Sequence, residues 1–360
     1  MAKVSTDYYV QRNNQNLEAL DRLLDESLPP FCADYFMSIE SRTSPLTRLN
    51  YAHDLKIFFY FLCQRKFSGR SVKDLTLDDM ENVTSTDVEY FLSFLSRYKY
   101  DGKLHMCNDR AKARKLSAVK AMFKYFFKKD LISVNNTTKV ETPKIHEKPI
   151  IRLEDQEIPG IIATAESGTG LSEHQMAYHE HNKVRDTAIL TLFLGTGIRI
   201  SELVGLNNGD INFDNNSFIV TRKGGAKTIL YFDDTVAEAL KTYMAQKEAQ
   251  SLPMLDSSPL FLTTGSKKAP ARLGVRAVEN MVKKYAKIVS PLKKITPHKL
   301  RSTYGTALYK ATGDIYVVAD VLGHKDINTT KKHYAAITDD ARRSVVGKVK
   351  LKPDNDRPQP

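Results

Sequence analysis

The chain has 360 residues, 41% of them hydrophobic and 27% charged, which excludes a disordered polymer and is long enough for two domains. Lys and Arg outnumber Asp and Glu by 54 to 42, for a formal net charge of +12, and this points to a polyanionic partner. No apolar run approaches the ~20 residues that span a bilayer, and the start lacks the apolar stretch of a signal peptide. A cytoplasmic protein without membrane association is expected. Cys32, Cys63 and Cys107 show no paired spacing, so buried thiols are expected rather than disulfides or a zinc site.

Leu17, Leu20 and Leu24 recur at helical spacing within residues 11–26 and predict a short amphipathic helix, closed by Leu28-Pro29-Pro30. Ser44 reads as an N-cap and Pro45 as the first residue of a second helix, with Tyr51, Leu55, Phe58, Phe59 and Leu62 as its apolar stripe. A third helix follows Thr84-Ser85-Thr86-Asp87 and buries Val88, Phe91, Leu92 and Leu95. The fourth runs from about Asn108 to Lys128, with Leu116, Val119, Phe123 and Phe126 inside. This first part therefore reads as all-helical.

The fourth helix carries Arg110, Lys112, Arg114, Lys115 and Lys120, with Asp109 as the acidic residue among them. Like charges one turn apart destabilise a helix by a few tenths of a kcal/mol per pair, roughly, and a phosphate backbone would relieve that repulsion. The five residues are candidate DNA contacts; a solvated face balanced by acidic neighbours is the alternative. Residues 135–152 then hold Pro143 and Pro149 without periodicity and mark a linker.

From Leu153 onward the pattern is mostly helical, with one β interruption. In residues 211–233, Asn215-Asn216 and Gly224-Gly225 separate β-branched and aromatic runs, predicting a small antiparallel sheet. Residues 167–183 read as a polar loop containing His174, His179 and His181 with Glu173 and Glu180. His179 and His181 cannot share one helix face, and no metal site is expected there.

Six residues stand out in this half: Arg199 in G-T-G-I-R-I-S-E-L, Lys223 in R-K-G-G, His298 and Arg301 in T-P-H-K-L-R, His324 in L-G-H, and Tyr334 in K-K-H-Y. Two guanidiniums, two imidazoles, an ammonium and a phenol form a set that can hold and attack a phosphodiester without a metal. Gly195 is read as ending an apolar helix and Gly197 as turning the chain into a helix that contains Arg199, whose N-terminus also favours an anion. Arg199 could equally pair with Glu202 one turn on. Thr296 reads as an N-cap with Pro297 first in the helix; Leu300, Tyr304, Ala307, Leu308 and Ala311 are read as its buried side. Ile315, Val318 and Leu322 bury the next helix, and Gly323 caps it ahead of His324.

These motifs, in this order, resemble the signature of the tyrosine recombinase (phage integrase) family, closest in style to its Xer-like members. The resemblance implies a mainly α architecture: an N-terminal helical extension (1–26), a helical core-binding domain (27–136), a linker (137–152), an α-rich catalytic domain with a small antiparallel β-sheet (153–349) and a tail (350–360). It implies that Tyr334 is the nucleophile, that Arg199, Arg301 and His324 surround the phosphate oxygens, that His298 helps accept the phenolic proton or hydrogen-bonds the phosphate, that Lys223 is the general acid and that Glu202 braces Arg199. Tyr334 falls one residue later than in the commonest family pattern, where this chain has His333, a difference that a bulge or longer loop absorbs. The implied partner is double-stranded DNA with a partly palindromic site, bound by a homotetramer without a cofactor. Both chromosome dimer resolution and mobile-element integration or excision fit. Residues 339–349, capped by Thr338 and apolar at Ala341, Val345 and Val346, form a segment too short to stand alone as a helix. It packs on its own domain or, as the resemblance implies, on the next protomer. The alternatives are a type IB topoisomerase-like DNA relaxing enzyme and a non-catalytic DNA-binding protein.

Overall fold

The computed structural model describes residues 7–145, 151–222, 225–263 and 269–323. The chain divides into two compact units, 1–148 and 149–360.

In the first unit Asp7 accepts from the backbone amides of Tyr9 and Val10 and starts α1 (Tyr8–Ser27), which packs along α3. Leu20 and Leu28 reach the core, so this segment is part of the unit's packing rather than an appendage. A short α2 (Cys32–Ser38), unforeseen from the sequence, carries buried Tyr35 and Phe36. Ser44 and Pro45 open α3 (Pro45–Arg65) as expected. After α4 (Leu77–Glu81), Thr84 and Asp87 form a reciprocal capping box that starts α5 (Ser85–Phe94). Asn108 caps α6 (Asp109–Lys128). Edge-on aromatic contacts join these helices, Phe58 to Phe91 at 5.1 Å and Phe58 to Phe123 at 6.2 Å between ring centres.

The unit is not all-helical. Strands β1 (Tyr98–Tyr100) and β2 (Lys103–His105) pair antiparallel. Asp101 and Gly102 between them have φ of 49° and 70°, the two left-handed residues that match the twist of a two-residue hairpin. The linker also begins later than expected. Asn136–Lys139 form a 3-10 turn, Thr137 and Val140 are buried, and the Lys120 ammonium donates to the Val140 carbonyl at 2.6 Å.

The second unit is organised around α8 (Glu173–Thr196), against which α7 (Glu157–Ser167), α10 (Asp234–Ala249) and α12 (Pro297–Thr312) pack. Between α8 and α10 lie a one-turn α9 (Ile200–Leu203) and the predicted sheet, β3 (Ile211–Asn212), β4 (Ser217–Thr221) and β5 (Lys227–Tyr231), antiparallel in that order. Helices α11 (Val275–Val289) and α13 (Ile315–Leu322) complete the unit.

The polar loop expected over 167–183 is mostly the first half of α8. Ser172 and Gln175 cap each other's backbone groups at its start. His179 is fully buried, with Nδ1 3.1 Å from the Tyr285 hydroxyl, which donates to Asp186 at 2.9 Å. The Arg185 guanidinium and the Lys284 ammonium also bond Asp186. A histidine among polar residues is therefore an interior anchor, while His174 and His181 face solvent.

Candidate active site

Helix α8 continues past Gly195 to Thr196, and Gly197 ends it with φ of 62°. A β-carbon on Gly197 would lie 2.5 Å from Tyr304 Cδ1, so the left-handed cap and the close approach of α12 both require glycine. The tight turn brings Arg199 to the N-cap of α9. There Glu202 accepts the Arg199 amide at 3.0 Å with one carboxylate oxygen and the guanidinium at 2.7 Å with the other. Glu202 is almost wholly buried, and the two bonds hold the guanidinium in one orientation. The sequence left open whether Arg199 pairs with Glu202 or faces an anion. The structure shows the pairing with Glu202, while the second terminal nitrogen, Nη2, reaches past the helix to the carbonyls of Leu322 and Gly323 at 2.9 and 2.8 Å.

Arg301 arrives from the other side. It is buried on α12, donating through Nη1 to Gly197 O and through Nη2 to Leu322 O. Arg199 and Arg301 thus converge on one acceptor, the Leu322 carbonyl at the end of α13. Carbonyls at a helix C-terminus carry partial negative charge and lack intrahelical donors. Donors so arranged suit the non-bridging oxygens of a phosphate.

His298 is exposed in the first turn of α12, one turn from Arg301. Thr296 and Pro297 start the helix as expected, although the Thr296 side chain makes no capping bond. The buried side of α12 differs from the expected one: Leu300, Arg301, Thr303 and Thr306 face inward, whereas Ala307 and Ala311 are exposed. Thr303 is satisfied there, its Oγ1 donating to Lys299 O at 2.9 Å and accepting the Leu153 amide at 3.0 Å, whereas the buried Thr306 hydroxyl has no hydrogen-bond partner. Tyr304 and Leu308 pack against the Val318–Leu322 side of α13 instead. Lys223, His324, Tyr334 and the 339–349 segment lie outside the described residues. Lys227, the other lysine of this hairpin, sits on β5 opposite Thr221.

The candidate DNA contacts of the first unit separate by environment. Arg110 is exposed. Lys112 donates to Ser96 Oγ at 2.7 Å, and Arg114 lies 2.8 Å from Asp54. Lys115 is buried and bonded to the same carboxylate at 2.7 Å. The fully buried Asp54 on α3 needs a cation, and α6 supplies it, so Lys115 is a core residue and not a phosphate contact. Lys120 is half-buried with its ammonium on the Val140 carbonyl, which withdraws it from the outer row as well.

One residue of the site escaped the sequence reading. Arg222, just before Lys223, extends its guanidinium to the end of α13, with Nη2 3.3 Å from Val321 O. Burial lowers its pKa; the Glu202 carboxylate opposes that shift and the Arg199 charge adds to it. The signal available was one further basic residue in R-K-G-G, indistinguishable from an ordinary hairpin arginine.

A guanidinium pair, one member of it braced by a buried carboxylate, suits the binding of an anionic ester group. The phage integrase family model matches residues 152–341. Tyrosine recombinase XerC of Caldanaerobacter subterraneus subsp. tengcongensis is 30% identical over 326 residues, covering 88% of this chain and 84% of that protein. Tyrosine recombinase XerS of Streptococcus uberis is 29% identical over 354 residues, covering 89% of this chain and 96% of that one. Among solved structures, the XerH site-specific recombinase bound to palindromic difH substrate shares the fold at a TM-score of 0.61 and 20% identity, over 81% of this chain and 76% of that one. The Tn1549 transposon integrase in complex with circular intermediate DNA does so at 0.61 and 20% identity, over 88% of this chain and 98% of that one.

The chain belongs to the phage integrase family of tyrosine recombinases. It is a site-specific recombinase that breaks and rejoins DNA strands by way of a tyrosine, and the topoisomerase-like and non-catalytic alternatives are set aside.

Proposed function

We propose that this enzyme binds a partly palindromic DNA site, pairs two such sites in a homotetramer and exchanges strands through 3′-phosphotyrosyl intermediates, in the cytoplasm and without metal or cofactor. The convergence of Arg199 and Arg301 on a single acceptor, with Glu202 behind Arg199, is the observation that carries this reading. Two guanidiniums that meet at one carbonyl are close enough together to grip a single phosphate between them. The complex of XerH with palindromic difH supports the choice of site symmetry.

In the proposed reaction the Tyr334 oxygen attacks phosphorus and the bond to the 5′ oxygen breaks. A phenol with a pKa near ~10 is protonated at neutral pH, so His298 takes its proton as the bond forms. Arg199, Arg301 and His324 stabilise the charge that builds on the non-bridging oxygens. Lys223 gives a proton to the departing oxygen, which leaves as a 5′ hydroxyl. The phosphotyrosyl ester retains the bond energy, so attack by another 5′ hydroxyl rejoins the strand and releases Tyr334. Among the candidate DNA contacts, Arg110 and the half-exposed Arg114 remain, with Lys112 beside them. Residues 339–349 dock on the neighbouring protomer, which ties cleavage to assembly.

A site-bearing duplex nicked beside the cleavage position tests this by trapping the covalent adduct. The wild-type protein should become attached to the DNA, whereas Tyr334→Phe and Arg199→Ala should bind the duplex without forming an adduct. An adduct that persists in Tyr334→Phe would falsify the assignment of the nucleophile.

A further inference from the structure

We infer that Arg222 is a positioning residue of the cleavage site, which clamps the C-terminal end of α13 against the Arg199–Arg301 pair. Its backbone is fixed first: the Arg222 amide donates to Ala226 O at 2.8 Å, and its carbonyl accepts the Gly225 amide at 3.0 Å, both closing the β4–β5 hairpin. From that anchored start the side chain crosses to α13 and bonds the Val321 carbonyl.

The contact with Gly323 is closer still. Gly323 ends α13 with φ of 59°, and a β-carbon there would fall 1.5 Å from Arg222 Nη1 and 2.2 Å from Cζ. The guanidinium therefore occupies the space that any side chain at 323 would need. Three guanidiniums engage three consecutive residues: Arg222 bonds Val321 O, Arg199 and Arg301 bond Leu322 O, and Arg199 also bonds Gly323 O. Arg222 Nε is buried without a hydrogen-bond partner.

Like charges collected in a half-buried place oppose one another, and a surface arginine with no task would turn to water instead. What the arrangement accomplishes is geometric. Arg199 and Arg301 are aimed by one carbonyl, and Arg222 holds the helix end that carries it. The planar, always-charged guanidinium can bond a carbonyl while lying flat on a glycine, which a lysine cannot do. In the chain Arg222 directly precedes Lys223, and Gly323 directly precedes His324. The clamp thus joins the backbone segments leading to both.

The inference rests on the reading of Arg199 and Arg301 as the cleavage centre. Its test is a double-mutant cycle, read as single-turnover cleavage of the nicked duplex by the full chain, with DNA affinity measured alongside. A misplacement on the order of 1 Å can slow a reaction up to about 100-fold, so Arg222→Ala should cleave roughly 10- to 100-fold more slowly with wild-type affinity. Gly323→Ala should be similarly slow, because its β-carbon displaces the guanidinium. The double variant should be no slower than the slower single one, since both break one contact. Rate losses that simply multiply, or wild-type cleavage by Arg222→Ala, overturn the proposal. A weakened affinity, with the log–log salt slope falling by ~0.9, would make Arg222 a phosphate contact instead and overturn it too. If Arg222→Ala melts early, Arg222→Gln measured below its melting temperature gives the same reading, and full cleavage there counts against the clamp. Normal cleavage by Arg199→Ala would sink the underlying site assignment; an additive cycle with inactive Arg199→Ala sinks the clamp alone.

Discussion

Removing the carboxylate of Asp54 should unfold the first unit far more easily than its single-residue size suggests. Asp54 has no solvent exposure; the Lys115 side chain, 10% exposed, lies 2.7 Å away, and the Arg114 side chain, 50% exposed, lies 2.8 Å away. In Asp54→Ala the Arg114 guanidinium can turn to water and forfeits at most ~1 kcal/mol. The Lys115 ammonium cannot, and stranding one member of a buried pair costs about 3–5 kcal/mol. Against a total stability of roughly 5–15 kcal/mol for a domain, that is a large share. Urea denaturation of the full chain, followed by circular dichroism, should show the first unit's transition at clearly lower denaturant. Asp54→Leu combined with Lys115→Met should recover most of the loss, because a well-packed apolar pair often equals or exceeds a buried ion pair. The double variant should also keep the wild-type salt dependence of DNA binding, whereas Arg110→Ala should lower the log–log slope by ~0.9. An Asp54→Ala protein within ~1 kcal/mol of wild type, or a double variant as unstable as the single, refutes the account of Lys115 as a core cation.

Gly197→Ala forces a side chain into a left-handed cap 2.5 Å from the Tyr304 ring; overpacking of this kind costs about 1–3 kcal/mol. Melting should drop and cleavage should fall further than DNA binding, since the Gly197 carbonyl also anchors Arg301; unchanged cleavage would contradict this. Burial, followed by the charge of Lys284, lowers the His179 pKa below its usual value of 6.5. The unfolded chain then binds the proton more readily, so His179 contributes stability above pH ~6.5 that is lost as the pH falls through and below that value. Thermal melts at pH 7.5 and 5.5 should differ less for His179→Phe than for wild type, and an equal difference would count against the inward, neutral histidine.

Local signals carried most of the fold. Ser44-Pro45, Thr84 with Asp87, and Asn108 each mark a helix start by satisfying amides that the helix itself leaves open; the first acts as the N-cap expected, and the other two cap helices whose starts the sequence placed there. The hairpin at Asp101-Gly102 was equally legible in principle, since an Asp-Gly pair suits a turn with two positive φ angles, although the apolar periodicity of this part predicts helices alone. The first half of α8 was misread for a related reason. Glu, His, Gln and Asn in that stretch have no apolar period, and the helix is instead set by the Ser172–Gln175 cap and by tertiary bonds from His179 to Tyr285. Composition cannot reveal a polar residue that folds inward to a partner 106 positions away.

The site divides along the same line. Arg199, Glu202 and Arg301, which the structure brings together, could be picked out because binding a phosphate calls for guanidiniums and their own turns present them: a helix start for the first pair, a helix face for the third. Which cations serve as structure and which serve the reaction was not legible, since charge is written in sequence but its partner is not. Lys115 belongs to Asp54, 61 positions away, and Arg222 belongs to the end of α13, 99 positions away. The net charge of +12 therefore overstates the surface available to DNA and understates the site. One lysine leaves the first account to neutralise a buried carboxylate. One arginine enters the second because the carbonyl end of a helix makes a third guanidinium tolerable beside Arg199 and Arg301.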